Sequence, residues 1–204
     1  MQFWNSQLTE KSWNIMQDIK KEGWRFIVIG GWATYLWTRQ HKSKDIDIII
    51  PDFDTLSVLK KKYDLKKNDH LKKYEILFGA IDVDLYVPYY SQLTLPIEII
   101  AKQTSFVEGF EVIKPEVLLI LKQGAEQDRS YSVKGQKDRI DIMTLLCFTE
   151  IDFAWYRQLL KTHHLEPYRL KLKNIIQTFK DLKYLEMNAQ KYAKIKKDLL
   201  KKIG

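Results

Sequence analysis

The sequence predicts an α+β fold, a mixed sheet with flanking helices followed by a C-terminal helical region. Three observations lead there. Short β-branched runs and period-two alternation crowd the first 95 residues, helical spacing dominates from about Leu95 onward, and Gly and Pro are scarce, at 8 and 5 in 204 residues. The expected division is residues 1–95 as one domain and 96–204 as a helical second domain.

The elements follow in order. Gln7 to Lys21 carries Leu8, Ile15, Met16 and Ile19 near helical spacing, with Ser6 or Thr9 as N-cap and Gly23 as the stop. Arg25 to Ile29 is a short β-branched strand running into Gly30-Gly31, after which Trp32 to Arg39 is helical. Ile46 to Ile50 is a second strand closed by Pro51, and Phe53 to Lys62 is a helix capped by Asp52 or Asp54. Lys73 to Phe78 and Ala80 to Val87 alternate with period two around Gly79, which predicts an antiparallel pair. Beyond Leu95 the β-like run is Phe110 to Ile113. Helices are expected at 115–127, 136–148, 152–161, 167–186 and 189–201.

Composition sets limits on function. With 45% hydrophobic and 29% charged residues the chain has the balance of a folded protein. The single cysteine, Cys147, lies in the apolar run Leu145 to Phe148, which excludes an internal disulfide or a Cys-based zinc site and predicts an inert thiol. No apolar run approaches the ~18 residues of a membrane span, and the N-terminus lacks a signal-like pattern, so a cytoplasmic protein without membrane contact is expected. The net charge of +8 is localised. Residues 151–204 hold 13 Lys or Arg against 5 Asp or Glu, while the first 150 residues balance at 21 of each sign.

The chemistry concentrates in two alternating pairs. On a strand, residues two apart share a face, so Asp45 and Asp47 present adjacent carboxylates while Ile46 and Ile48 face the core. Adjacent anions repel, and a cation between them relieves the repulsion. Mg2+ suits oxygen donors and takes one or two protein carboxylates together with substrate phosphates. Taken alone, an Asp-x-Asp is also what a solvated strand edge produces. Asp82 and Asp84 form a second such pair on another strand, which makes convergence of three or four carboxylates the stronger expectation. Gly30 and Gly31 stand between a strand and a helix, where backbone N–H groups hold phosphate oxygens, although tight packing explains a Gly-Gly turn equally well. His41, His70, His163 and His164 have no metal-ligand spacing and are expected at the surface.

Gly30-Gly31-Trp32-Ala33, followed by Lys42-Ser43-Lys44-Asp45-Ile46-Asp47 and a later strand Asp, resembles the nucleotidyltransferase superfamily with the DNA polymerase β-like fold. Within it, Leu121-Lys122-Gln123-Gly124-Ala125, Arg129 and Lys137-Asp138-Arg139-Ile140-Asp141 resemble the later motifs of AbiEii-type toxins, the minimal nucleotidyltransferases. The resemblance covers about residues 25–145. It implies the minimal nucleotidyltransferase sheet, with Asp45, Asp47 and Asp84 as catalytic ligands of Mg2+ or Mn2+ and Asp82 as the alternative third ligand. Asp84 is favoured because it leads into Leu85-Tyr86-Val87. It also implies that Gly30, Gly31, Ser43, Lys44, Lys122 and Lys137 meet the nucleotide. Trp32 departs from the pattern, standing where many relatives carry Ser or Thr, which puts one phosphate contact in doubt.

The implied activity is transfer of a nucleoside monophosphate from an NTP, ATP included, to an acceptor with release of pyrophosphate. The basic tail, with Tyr156, Tyr168, Tyr184 and Tyr192 among its Lys and Arg, suits RNA such as tRNA, although a charged helical bundle with core aromatics fits equally. Lys60 to Lys62 and Lys66-Lys67 carry the same two readings. The AbiEii likeness implies the toxin of a toxin-antitoxin pair, with an antitoxin protein as a partner. Alternatives are an aminoglycoside- or lincosamide-like antibiotic nucleotidyltransferase, a glycosyltransferase, for which the α/β part is too short, and a nucleotide-binding module without turnover.

Overall fold

The computed structural model describes residues 6–204, which divide into two compact units, the first ending at Lys114 and the second running over Pro115–Gly204. The division falls at Lys114, later than the residue-95 boundary expected from sequence, because two further strands join the first unit's sheet. Both parts of the predicted fold class are present, a mixed sheet with helices and then a helical region.

The first unit is built on α1 (Ser6–Lys21), β1 (Ile27–Ile29), α2 (Gly30–Thr38), β2 (Ile46–Ile49), α3 (Phe53–Lys62), β3 (Lys66–Asn68), β4 (Lys73–Phe78), β5 (Ile81–Tyr86), α4 (Ile97–Ile100), β6 (Thr104–Val107) and β7 (Phe110–Ile113). The strands form one seven-stranded sheet in the order β3-β4-β5-β2-β1-β7-β6. β2 lies at its centre, parallel to β5 on one side and antiparallel to β1 on the other, and β1 runs parallel to β7. Ile27, Val28 and Ile29 are all buried, as a strand covered on both faces requires.

Along β5 burial alternates as the period-two pattern demands: Ile81, Val83 and Leu85 are fully buried while Asp82, Asp84 and Tyr86 are half-buried. Ile46 and Ile48 on β2 join the apolar side. Trp13 of α1 and Trp32 of α2 pack at a ring separation of 5.1 Å, and Phe110 of β7 lies 5.6 Å from Trp13. Trp32 is fully buried and its indole N–H donates to Ser12 Oγ at 2.9 Å. It is therefore a core residue whose one polar atom is satisfied from α1. Asp52 caps α3, accepting from the Thr55 N–H at 2.7 Å.

The second unit comprises α5 (Pro115–Arg129), α6 (Val133–Phe148), α7 (Phe153–Thr162), α8 (Pro167–Thr178), a 3-10 turn at Leu182–Leu185 and α9 (Ala189–Ile203). The helix expected over 167–186 ends early. Phe179 is extended (φ −65°, ψ 128°) and turns its ring into the core, at 7% exposure. Gly135 lets α6 start against the end of α5, because a Cβ there would lie 2.8 Å from the Arg129 carbonyl carbon. Among the described residues no helix is long and apolar enough to cross a membrane.

Candidate metal and nucleotide site

The turn from β1 into α2 positions the first part of the site. Gly30 adopts φ +65°, a left-handed conformation that favours glycine. A Cβ at Gly30 would fall onto the Asp47 carboxylate, 2.7 Å from its Cγ. The glycine is therefore required twice, by backbone conformation and by the close approach of Asp47. α2 begins at Gly30 with Ile29 as N-cap, a side chain with no acceptor for the first-turn N–H groups. Those groups and the positive end of the helix suit an anion. Thr34 Oγ donates to the Gly30 carbonyl at 3.2 Å and ties the turn to the helix behind it.

Sheet register assembles the acids. On the parallel pair β2–β5, Asp47 is the partner of Asp84; on the antiparallel pair β5–β4, Asp84 is the partner of Glu75; and Glu75 in turn faces Lys66 of β3. Register partners share a face and neighbouring strands lie about 4.8 Å apart, so Asp47, Asp84 and Glu75 form a row of three carboxylates across three strands. Asp45 immediately precedes β2. Asp82 pairs with Leu77 and is not the register partner of Asp47.

Lys73 and the Asn68 amide hold the outer part of the row. Lys73 Nζ lies 2.6 Å from Asp84 Oδ2 and 3.1 Å from Glu75 Oε1, and it is only 12% exposed. The Asn68 amide donates to Glu75 at 3.0 Å. Burial, then the charge of Asp47, push the Asp84 carboxyl up to about 6 against the pull of Lys73. Burial would raise Glu75 as well, but the hydrogen bonds from Asn68 and Lys73 win and lower it. Burial works against the charge on Lys73, and its hydrogen bonds to Asp84 and Glu75 nevertheless raise its pKa.

Two carboxylate oxygens in this region, Asp45 Oδ1 and Asp84 Oδ1, are shielded from solvent and have no hydrogen-bond partner among the described residues. The Asp45 side chain is nearly half exposed as a whole, but its Oδ1 is covered, with Lys44 Nζ at 3.7 Å, beyond hydrogen-bond range. An unpaired buried acceptor is costly, and a hard divalent cation is the partner that carboxylate oxygens suit best. Asp45 Oδ1 and Asp84 Oδ1 are oxygen donors of the kind such a cation takes. As the side chains stand, no three Asp, Glu, His or Cys among the described residues surround one point. In the row itself the acids lie side by side and the Lys73 ammonium binds Asp84.

Among the residues expected from sequence, Gly30, Asp47 and Asp84 are brought together and Asp45 adjoins them. Gly31 and Ser43 are buried, and Lys44 is 42% exposed beside Asp45. Lys122 and Lys137 belong to the second unit. Lys122 is 8% exposed and its ammonium lies 2.5 Å from Asp141 and 3.6 Å from Asp138. Asp138 also accepts from Arg129 Nε at 2.7 Å. Two buried carboxylates thus compete for the lysine expected at the phosphates. Lys137 is half-buried on α6. Glu75 and Lys73 escaped the sequence reading, although the signal was present. The two residues Gly79 and Ala80 separate Phe78 from its partner Ile81, and that short hairpin fixes Glu75 opposite Asp84.

Of the tail tyrosines, Tyr156 and Tyr192 are core residues. Tyr156 donates to Gln123 Oε1 at 2.6 Å and Tyr192 to the Ile176 carbonyl at 2.7 Å. Tyr168 and Tyr184 are half-buried, with Lys171 and Lys183 over their rings. Burial pushes the Cys147 thiol up to about 12, which makes it unreactive.

No protein-family model matches the chain, and no curated protein matches it. Similar solved structures include JHP933 from Helicobacter pylori, with 17% identity, a TM-score of 0.50 and coverage of 98% of this chain and 94% of that one. They also include an antigenic nucleotidyltransferase-like protein from Paracoccidioides brasiliensis, at 19% identity, TM-score 0.46 and 89% and 92% coverage. A third is ANT(2")-Ia in complex with adenylyl-2"-tobramycin, at 13% identity, TM-score 0.46 and 83% and 98% coverage. The likeness to JHP933 is one of fold alone.

Proposed function

We propose that the chain is a metal-dependent nucleotidyltransferase that moves a nucleoside monophosphate from an NTP to an acceptor. The observation that carries this reading is the register placing Asp47 beside Asp84, with the Gly30 turn against Asp47 and covered oxygens on Asp45 and Asp84 that receive no hydrogen bond. Asp45, Asp47 and Asp84 would hold Mg2+ or Mn2+. When bound, the metal supplies charge that offsets the phosphates during in-line attack. Gly30 and Gly31 present the N-terminus of α2 to phosphate oxygens, and Ser43 and Lys44 flank the Asp45 end of the site. That Asp84 and not Asp82 faces Asp47 supports Asp84 as the third carboxylate.

RNA is the acceptor this reading favours, since the net charge of the chain resides in its last 54 residues, where Lys191, Lys194, Lys197, Lys201 and Lys202 are exposed on α9. The motif resemblance in residues 121–141 supports the role of toxin in a toxin-antitoxin pair. Incubation with each α-labelled NTP, Mg2+ and total RNA should label RNA, and Asp47→Asn should abolish the label. Labelling of an aminoglycoside in place of RNA would reassign the acceptor, and NTP binding without turnover on any acceptor would reduce the chain to a binding module.

A further inference from the structure

Lys73 occupies an unusual place. It stands on β4, one strand beyond the acid of β5, and is 12% exposed with its charge on Asp84 Oδ2 at 2.6 Å and Glu75 at 3.1 Å. Three carboxylates abreast on neighbouring strands repel one another strongly in a half-buried setting, and a fold tolerates them when positive charge lies among them. Lys73 supplies that charge. It does so with the same Asp84 carboxylate that the reading above gives to a divalent cation, leaving Oδ1 of that group without a partner. A lysine ammonium is a compact point charge on a flexible four-carbon stem, able to give up one oxygen and keep another. Glu75 is the longer contact and is shared with Asn68, so the ammonium is held less firmly once Asp84 is released.

We infer that Lys73 is a resident counter-ion of the acid row, holding Asp84 in the metal-free protein and ceding it to an incoming divalent cation, so that Lys73 sets the affinity of the site. The inference rests on the metal reading of Asp45, Asp47 and Asp84. A cation binding beside Asp84 must work against the neighbouring ammonium. Removing that like charge should tighten binding by about tenfold or more at the effective dielectric near a protein surface.

The test uses Mn2+ as the probe, titrated against the full chain and followed by the free-ion electron paramagnetic resonance signal, with thermal midpoints recorded in chelator. Lys73→Met should bind Mn2+ at least about tenfold more tightly and melt earlier in chelator, the two changes running in opposite directions. Lys73→Arg, which keeps the charge, should stay near wild type in both. A purely structural lysine would lower the midpoint without tightening Mn2+, and unchanged or weaker Mn2+ binding in Lys73→Met overturns the inference. Should that variant fail to fold, the wild-type chain decides. Acylation of Lys73, read by peptide mass spectrometry, should rise on adding Mg2+ while exposed Lys61 stays constant, and continued protection of Lys73 at saturating Mg2+ overturns it equally. If wild type binds no Mn2+ that Asp47→Asn removes, the metal reading itself falls and takes this inference with it. Bound Mn2+ with an indifferent Lys73→Met overturns the role of Lys73 alone.

Discussion

Asp84→Asn should make the metal-free protein more stable at pH 8. The Asp84 carboxyl is held at about 6, against 3.8 when unperturbed, with only 14% of the side chain exposed. At about 1.4 kcal/mol per tenfold, this amounts to about 3 kcal/mol against the charged form. The attraction of Lys73 is already included in that figure. Asparagine keeps the shape and drops the charge, while burying its own amide returns part of the gain, so about 1–3 kcal/mol is expected, or about 2–4 °C per kcal/mol for a chain of this size. The sign with pH follows from linkage. Between about 3.8 and 6 the folded state keeps a proton that the unfolded state releases, so the penalty is complete above about 6 and fades as pH falls towards 3.8. Urea unfolding in chelator, followed by the fluorescence of Trp13, Trp24, Trp32 and Trp37 in the sheet unit, should show the advantage of the mutant at pH 8 and little difference near pH 4. Saturating Mg2+ should stabilise wild type and leave the mutant unmoved. A mutant less stable at pH 8, or a difference independent of pH, would refute the claim that Asp84 is an uncomfortable anion awaiting a cation.

Gly30→Ala should cost at least about 2 kcal/mol, because it combines an unfavourable backbone conformation with displacement of Asp47; chemical denaturation measures the loss, and NTP transfer should vanish with it. Lys122→Met should cost about 3–5 kcal/mol by leaving Asp141 and Asp138 buried with one cation fewer, and Lys122→Met/Asp141→Leu should recover much of it in the same denaturation assay. Lys137→Met should leave stability within about 0.5 kcal/mol, as surface changes do, while calorimetry registers weaker NTP binding; unchanged affinity removes Lys137 from the nucleotide site. Replacing Lys194, Lys196 and Lys197 with Gln should weaken RNA binding and flatten its salt dependence, which for each phosphate contact is a log-log slope of about −0.7 to −0.9. RNA binding that is insensitive to salt would make the tail a solvated support.

What the sequence revealed and what it hid divide along physical lines. The Gly-Gly turn and both Asp pairs are local patterns, since strand alternation alone puts Asp45 with Asp47 and Asp82 with Asp84. Which acid of one strand meets which acid of the other depends on β2 and β5 lying side by side, a pairing between segments more than thirty residues apart that no local period encodes. β3 and β6 leave no mark in the sequence for a related reason. Their residues are mostly exposed or half-buried, so as edge strands they follow backbone hydrogen bonds to β4 and β7 and carry no apolar alternation. With β6 hidden, the run Phe110–Ile113 stands alone among helical patterns, and the boundary read from sequence falls at residue 95. Phe179 shows the opposite case, a residue with no helix-breaking chemistry that leaves the helix because the core takes its ring.

The second unit carries this reasoning one step further. Its motif residues, legible as a basic stretch followed by Lys-Asp-Arg-Ile-Asp, suggested charge offered outward, yet Lys122, Asp138 and Asp141 are all buried and mutually paired. A sequence displays the residue types and conceals whether opposite charges meet each other or a ligand. The same ambiguity has two different resolutions in this chain. Around Lys122 the carboxylates are paired by lysine and arginine, whereas in the sheet unit Asp45 Oδ1 and Asp84 Oδ1 are covered without receiving a hydrogen bond. Those two acceptors, more than the Asp-x-Asp pattern itself, are why the ligand-binding reading belongs to the Asp45, Asp47 and Asp84 region. The Lys122 cluster is better explained by what it contributes to the integrity of its own helices.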